Sequence, residues 1–142
     1  FVPGFEIDRP IESFAVGEAV ESKNDAFPQG SLLSGMLPWE TYQVVADPTT
    51  KGLQPLPKID GVPTSYFLGP VGTTGLSAYM PFKSFCKDFL MEKNKKEEES
   101  VVFVSGAAGA VGSVFGQLCK TQLPGKQCKV YGSAGSEDKI NV

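Results

Sequence analysis

Histidine is absent from all 142 residues. That absence excludes Ser-His and Cys-His nucleophilic sites within the chain, and histidine-containing zinc sites with them. Cysteine is scarce: Cys86, Cys119 and Cys128 are an odd number with no Cys-x-x-Cys pair. This points away from a disulfide framework and toward reduced thiols in an intracellular, cytoplasm-like compartment. No apolar run approaches the roughly 20 residues needed to cross a bilayer. A net charge of −3 gives no electrostatic reason to expect a nucleic-acid or anionic-membrane partner. The opening Phe1-Val2-Pro3-Gly4-Phe5-Glu6 has neither Met nor the basic head of a secretory signal. The expectation is a processed N-terminus or a sequence that begins inside a longer protein.

What is present is globular in composition, with 41% hydrophobic and 20% charged residues. Sixteen Gly and eleven Pro stay below the share that marks disorder. The length suits one ordinary domain or two partial ones. Up to about Leu68 the chain reads as β-rich and loop-rich. Short apolar runs at Phe14-Ala15-Val16, Glu18-Ala19-Val20, Leu32-Leu33 and Tyr42-Gln43-Val44-Val45 are separated by Gly and Pro signals. Asp47 to Gly52 is a surface loop by composition, and Pro55, Pro57 and Pro63 keep the next stretch extended. Gly69 to Gly75 is a small-residue loop leading into a helical segment with Leu76, Ala78 and Tyr79. A second helix runs from Pro81 to about Met91, with Phe82, Phe85, Phe89 and Leu90 near helical spacing. The charge run Glu92 to Glu99 reads as a solvated helix end or turn.

The pattern then changes. Val101-Val102-Phe103-Val104 is a continuous apolar run, expected of a strand buried on both faces of a parallel sheet. Val111, Val114, Phe115 and Leu118 follow helical spacing, so a helix packs one face back on that sheet. Pro124-Gly125 stops it, and Cys128-Lys129-Val130-Tyr131 is the next strand. Together these make a β-α-β unit.

Between strand and helix lies Ser105-Gly106-Ala107-Ala108-Gly109-Ala110-Val111-Gly112. Read as Gly-x-Gly-x-x-Gly, the register is Ala107, Gly109 and Gly112, with Ala in the first glycine position. Gly109 would let a pyrophosphate reach free backbone N–H groups at the positive end of the helix. Gly112 would let the helix lie close to the strand, and Gly116 would extend that contact. A tight turn needs glycine whether or not phosphate binds, but the strand-before, helix-after context is the one a dinucleotide site requires. An NAD site places a carboxylate about 20 residues past such a loop. Here Gly132-Ser133-Ala134-Gly135-Ser136 stands there, with no acid before Glu137 and with Lys139 following. Amides, hydroxyls and a cation favour a 2′-phosphate, hence NADP over NAD. A solvated surface lysine is the other reading of Lys139.

Val104 to Ser113 and Gly132 to Lys139 resemble the zinc-independent prostaglandin reductase and NADP-dependent alkenal double-bond reductase family of medium-chain dehydrogenases/reductases. The stretches Val16–Ser22, Gly35–Tyr42 and Leu68–Tyr79 agree in order and spacing. The resemblance implies an α/β chain in which 1–68 is part of a GroES-like catalytic domain, 69–100 a connecting helical segment and 101–142 the start of a Rossmann NADP-binding domain. It implies that Ala108, Gly109, Ala110, Val111 and Gly112 lie on the NADP pyrophosphate, with Gly135 and Lys139 around the 2′-phosphate. The implied activity is reduction of the C=C bond of α,β-unsaturated aldehydes and ketones. Hydride goes to the β-carbon, a donor stabilises the enolate, and the α-carbon is then protonated. Zinc ligands of related alcohol dehydrogenases fall near places matching Ser13 and Pro70, neither an ordinary ligand, so no metal is expected.

A doubly wound sheet has about six strands and this chain supplies two, and the resemblance implies that the nicotinamide contacts and catalytic residues lie after Val142. A homodimer is what the family resemblance implies. Two alternatives stay open: a non-catalytic binding or structural remnant of the same fold, and an NADPH quinone reductase. Ser77 lies where related enzymes approach the nicotinamide. Tyr42, Tyr66, Tyr79 and Tyr131 are candidate proton donors whose plainer role is packing. Trp39 is assigned to the core, and Cys119 is buried filler on its helix.

Overall fold

A computed structural model describes residues 4–95, 99–122 and 128–140. It divides into two compact units, Phe1–Leu68 and Gly69–Val142. The architecture is mixed α/β. The first unit holds an antiparallel sheet in the order β1 (Glu12–Glu18), β2 (Leu32–Pro38), β3 (Gln54–Leu56). Glu12 faces Pro38 and Glu18 faces Leu32 across the β1–β2 ladder. β3 is an edge strand, which is where Pro55, lacking an N–H, can be tolerated. Gly35 in β2 admits the incoming chain: a Cβ there would stand 2.6 Å from Leu53 Cδ2 and 2.8 Å from the Lys51 carbonyl oxygen. That carbonyl accepts the Met36 N–H at 2.9 Å. Leu37, Leu53 and Phe67, the last on a 3-10 turn at Thr64–Leu68, are the buried apolar residues of this unit.

The loop read at Asp47 to Gly52 is held by its own side chains. The Asp47 carboxylate accepts the Thr49 hydroxyl at 2.6 Å and the Thr49 N–H at 2.9 Å. These bonds, the hydroxyl's first, hold its pKa below the ordinary carboxylate value. The run Tyr42–Val45 forms no strand, and Val44 is almost fully exposed. Trp39 is not a core residue either. It is 69% exposed, and its indole N–H donates to Ser13 Oγ at 2.8 Å.

The second unit begins with one helical run instead of two helices. α1 (Thr73–Pro81) passes through a π-helical turn at Phe82–Cys86 into α2 (Lys87–Lys95). Pro81 ends α1 from within, because its nitrogen cannot donate to a carbonyl one turn back. The chain then adopts the wider repeat, with the Lys87 N–H on the Phe82 carbonyl. Glu99, from the charge run, pairs with Lys129 at 2.6 Å, and 96–98 of that run lie outside the described residues.

A parallel pair follows, β4 (Ser100–Val104) beside β5 (Cys128–Gly132), with α3 (Ala110–Thr121) between them in sequence. α3 ends at Thr121 with the Gln122 N–H on the Leu118 carbonyl. The stop expected at Pro124-Gly125 lies outside the described residues. Phe82, Leu90, Cys119 and Cys128 form the buried cluster, with Val102, Phe115, Leu118 and Val130 packed against it. Phe82 and Phe115 meet edge to face at 6.1 Å. Cys119 is fully buried. β4 is covered on one face only. Val101 and Phe103 are 63% and 67% exposed, so burial on both faces does not hold among the described residues: α3 covers one side and no described element the other. Tyr42, Tyr66, Tyr79 and Tyr131 are not core side chains either; Tyr42 is largely exposed and the other three are partly covered. No helix of the described residues is long and apolar enough to cross a membrane.

Candidate functional site

Parallel pairing sets Val104 opposite Gly132, so the two strands end side by side and their following loops leave together. After Val104 the chain reverses at Gly106, whose φ of +63° is the left-handed region open to glycine. The tight-turn role therefore belongs to Gly106, one residue before the Ala107 position that the Gly-x-Gly-x-x-Gly register gave it. The Gly106 carbonyl closes the turn by accepting the Gly109 N–H at 2.9 Å.

Gly109 is extended (φ −82°, ψ 165°) and caps α3 without a side-chain bond. The helical ladder opens with the Ser113 N–H on the Gly109 carbonyl at 2.9 Å. The N–H groups of Ala110, Val111 and Gly112 precede that ladder, and among the described residues neither they nor the Ala108 N–H has an acceptor. Four of the five sequence-assigned residues thus offer an unpaired donor, while the amide of Gly109 is already used. Ala108, Gly109, Ala110 and Val111 are exposed and Gly112 half-buried, so no side chain plugs the turn. A Cβ on Gly112 would overlap the Gly106 carbonyl oxygen and stand 3.0 Å from Ala107 Cα. Its closeness is to the turn and not to the strand. Gly116 meets only ordinary contact, 3.7 Å to Val130 Cγ1, so it is not required by space.

The second loop clasps the first. The Ser133 N–H donates to the Val104 carbonyl at 3.0 Å, and the Ser133 carbonyl accepts the Ala107 N–H at 2.8 Å. Ser133 Oγ accepts the Gly106 N–H at 3.3 Å. Beyond it, Gly135 is open on the side where a Cβ would sit, with nothing within 4 Å. Lys139 closes a 3-10 turn at Glu137–Lys139, its N–H on the Ser136 carbonyl at 3.2 Å. Its side chain is exposed and makes no ion pair among the described residues, though Glu137 and Asp138 precede it.

Behind the amide turn, α1 and α3 flank an apolar groove of about 290 Å³ lined by Pro70, Val71, Gly75, Leu76, Val114 and Leu118, among others. Gly75 sets the approach, since a Cβ there would overlap the Pro70 carbonyl oxygen. Ser77 is exposed on α1. Sequence reading placed Gly75, Gly106, Gly132 and Ser133 in loops without giving them these packing and turn-closing roles. Among the described residues no group of three or more His, Cys, Asp or Glu side chains could hold a metal ion.

A bound dinucleotide phosphate needs unpaired donors, room for the phosphate to approach backbone, and positive charge; the loop after β4 offers unpaired N–H groups and open space. A family described as the N-terminal domain of oxidoreductase matches residues 1–55. Prostaglandin reductase 1 of Mus musculus is 41% identical over 125 residues, covering 88% of this chain and 34% of that protein. The NADP(+)-dependent 2-alkenal reductase of Nicotiana tabacum is 38% identical over 144 residues, covering 100% of this chain and 37% of that protein. Among solved structures, CurA of Vibrio vulnificus in complex with NADPH superposes with a TM-score of 0.65 at 27% identity, over 99% of this chain and 37% of that one. The chain therefore spans little more than a third of the length of the relatives it matches.

Proposed function

The chain belongs to the prostaglandin reductase and alkenal reductase family of medium-chain dehydrogenases/reductases, and from that premise we propose that it forms part of an NADPH-dependent reductase of α,β-unsaturated aldehydes and ketones. One observation carries the reading: four unpaired backbone N–H groups at the start of α3 lie beside a second loop that has no carboxylate before Glu137. The amides of Ala108, Ala110, Val111 and Gly112 hold the pyrophosphate. Gly109 contributes through its lack of a side chain, since its own N–H is on Gly106. Gly135 leaves room for the 2′-phosphate and Lys139 neutralises it. When bound, NADPH supplies the hydride that reduces the β-carbon of the enal or enone.

The names of the relatives support the substrate class, and the CurA complex supports the cofactor. NADPH oxidation by the full protein is the test, measured with an aliphatic enal, an enone and a benzoquinone. Faster oxidation with the enal or enone is expected. Turnover confined to the quinone would replace this reading with a quinone reductase, and NADPH binding without turnover of any acceptor would reduce the protein to a binding module.

A further inference from the structure

Alanine stands at position 107, where a Gly-x-Gly-x-x-Gly loop has its first glycine, and glycine stands at 132, where β5 ends. These two departures face each other: a Cβ on Gly132 would overlap Cβ of Ala107. We propose that the Ala107 methyl is a peg seated on Gly132, and that this contact sets the height of the pyrophosphate turn above the end of β5. Ala107 and Gly132 are thus assigned as positioning residues that act through the turn, and the inference rests on the cofactor role proposed for that turn.

Three observations support the assignment. The Ala107 N–H is fixed to the Ser133 carbonyl at 2.8 Å, so the methyl cannot swing away without breaking that bond. The Ser133 N–H is itself held by the Val104 carbonyl at 3.0 Å, which ties the receiving strand end to the strand that launches the turn. Ala107 also lies against the helix, because a Cβ on Gly112 would stand 3.0 Å from Ala107 Cα. Raising Ala107 therefore displaces the backbone carrying the Ala108 amide and the first turn of α3 together. A second methyl at 132 has no flexible side chain to push aside, only another methyl on a hydrogen-bonded backbone.

The test is a swap of the methyl between the two residues in the full protein, read as KM and kcat for NADPH and NADH. Gly132→Ala is expected to raise KM for both dinucleotides by the same factor, about tenfold or more, since overpacking displaces the shared pyrophosphate site. At saturating cofactor, kcat should stay near that of the parent. Adding Ala107→Gly, which returns the methyl count of the contact to one, should bring both KM values back to within about threefold of the parent. An unchanged KM in Gly132→Ala overturns the proposal. So does a double variant that is no better in KM, or no better folded by its thermal midpoint, than the single one. A KM effect on NADPH alone would do so too, because it would place the damage at the 2′-phosphate. If the parent protein binds neither dinucleotide, it is the functional reading that fails first.

Discussion

A methyl group added at Gly112 and one added at Gly116 should have opposite consequences, although the two residues are one turn apart on the same helix. At Gly112 the new carbon overlaps the Gly106 carbonyl oxygen, an atom of a closed turn that cannot yield cheaply. Gly112→Ala is expected to lower stability by about 1–3 kcal/mol and to weaken NADPH and NADH binding alike. At Gly116 the new carbon finds Val130 at 3.7 Å. Replacing a mid-helix glycine there should raise stability by up to about 1 kcal/mol. Thermal unfolding of the two variants checks both signs. Lys139 is expected to behave differently again. Lys139→Ala removes an exposed cation proposed to neutralise a phosphate that only NADPH carries, so NADPH affinity should fall on the order of tenfold while NADH affinity holds. Equal losses for the two, measured by titration, would remove the role given to Lys139.

Among the elements, the helix entered through Gly72 depends on one backbone approach. Gly75 sits so close to Pro70 that a side chain would overlap its carbonyl oxygen. Gly75→Ala should cost about 2–3 kcal/mol or more, because both colliding groups are backbone; a denaturant midpoint within error of the parent would contradict the contact. This element also shows where the sequence was legible and where it was not. Long periodic segments were: of the stripe Val111, Val114, Phe115 and Leu118, Phe115 and Leu118 pack on the core, whereas Val111 at its N-terminal end is exposed, and the strands at Phe14 and Leu32 form. Apolar spacing reads a separate helix from Pro81, whereas tertiary packing of Phe82 and Leu90 carries one helical run through it with a widened turn. The apolar letters of Tyr42–Val45 gave a strand signal without a partner strand to pair with. In the candidate site, Gly109 and Gly112 were readable from glycine spacing, whereas Ala108, Ala110 and Val111 came from the family resemblance. The turn-forming role of Gly106 and the fit of Ala107 on Gly132 were not, because both depend on a parallel neighbour whose register no local pattern encodes.

For the molecule as a whole, the three thiols gather in one place. Cys119 and Cys128 are buried in the same cluster, with Cys86 packed against it. Burial, and then the neighbouring Cys128 and Cys86 thiols, push the Cys119 thiol up from 9.0 to about 11. The folded state holds this proton longer than the unfolded one. Below pH 9 both states keep it, and the contribution to stability is whole. As pH rises from 9 toward about 11 the unfolded state ionises first, so stability is expected to fall across that window. Denaturation midpoints against pH should show this decline, and Cys119→Ala should flatten it even if it lowers the plateau.

Because β4 and β5 run the same way and finish level, the residues proposed to tell one nicotinamide dinucleotide from the other hang from the outer lip of a short sheet, while the core lies behind it. Residues 135–139 carry no burial and, apart from the 3-10 turn, no structural duty. On the proposed placement of the 2′-phosphate, electron-donor preference is an interchangeable fitting: an acidic loop transplanted at those few residues is expected to favour the dephosphorylated coenzyme without disturbing a packed side chain among the described residues.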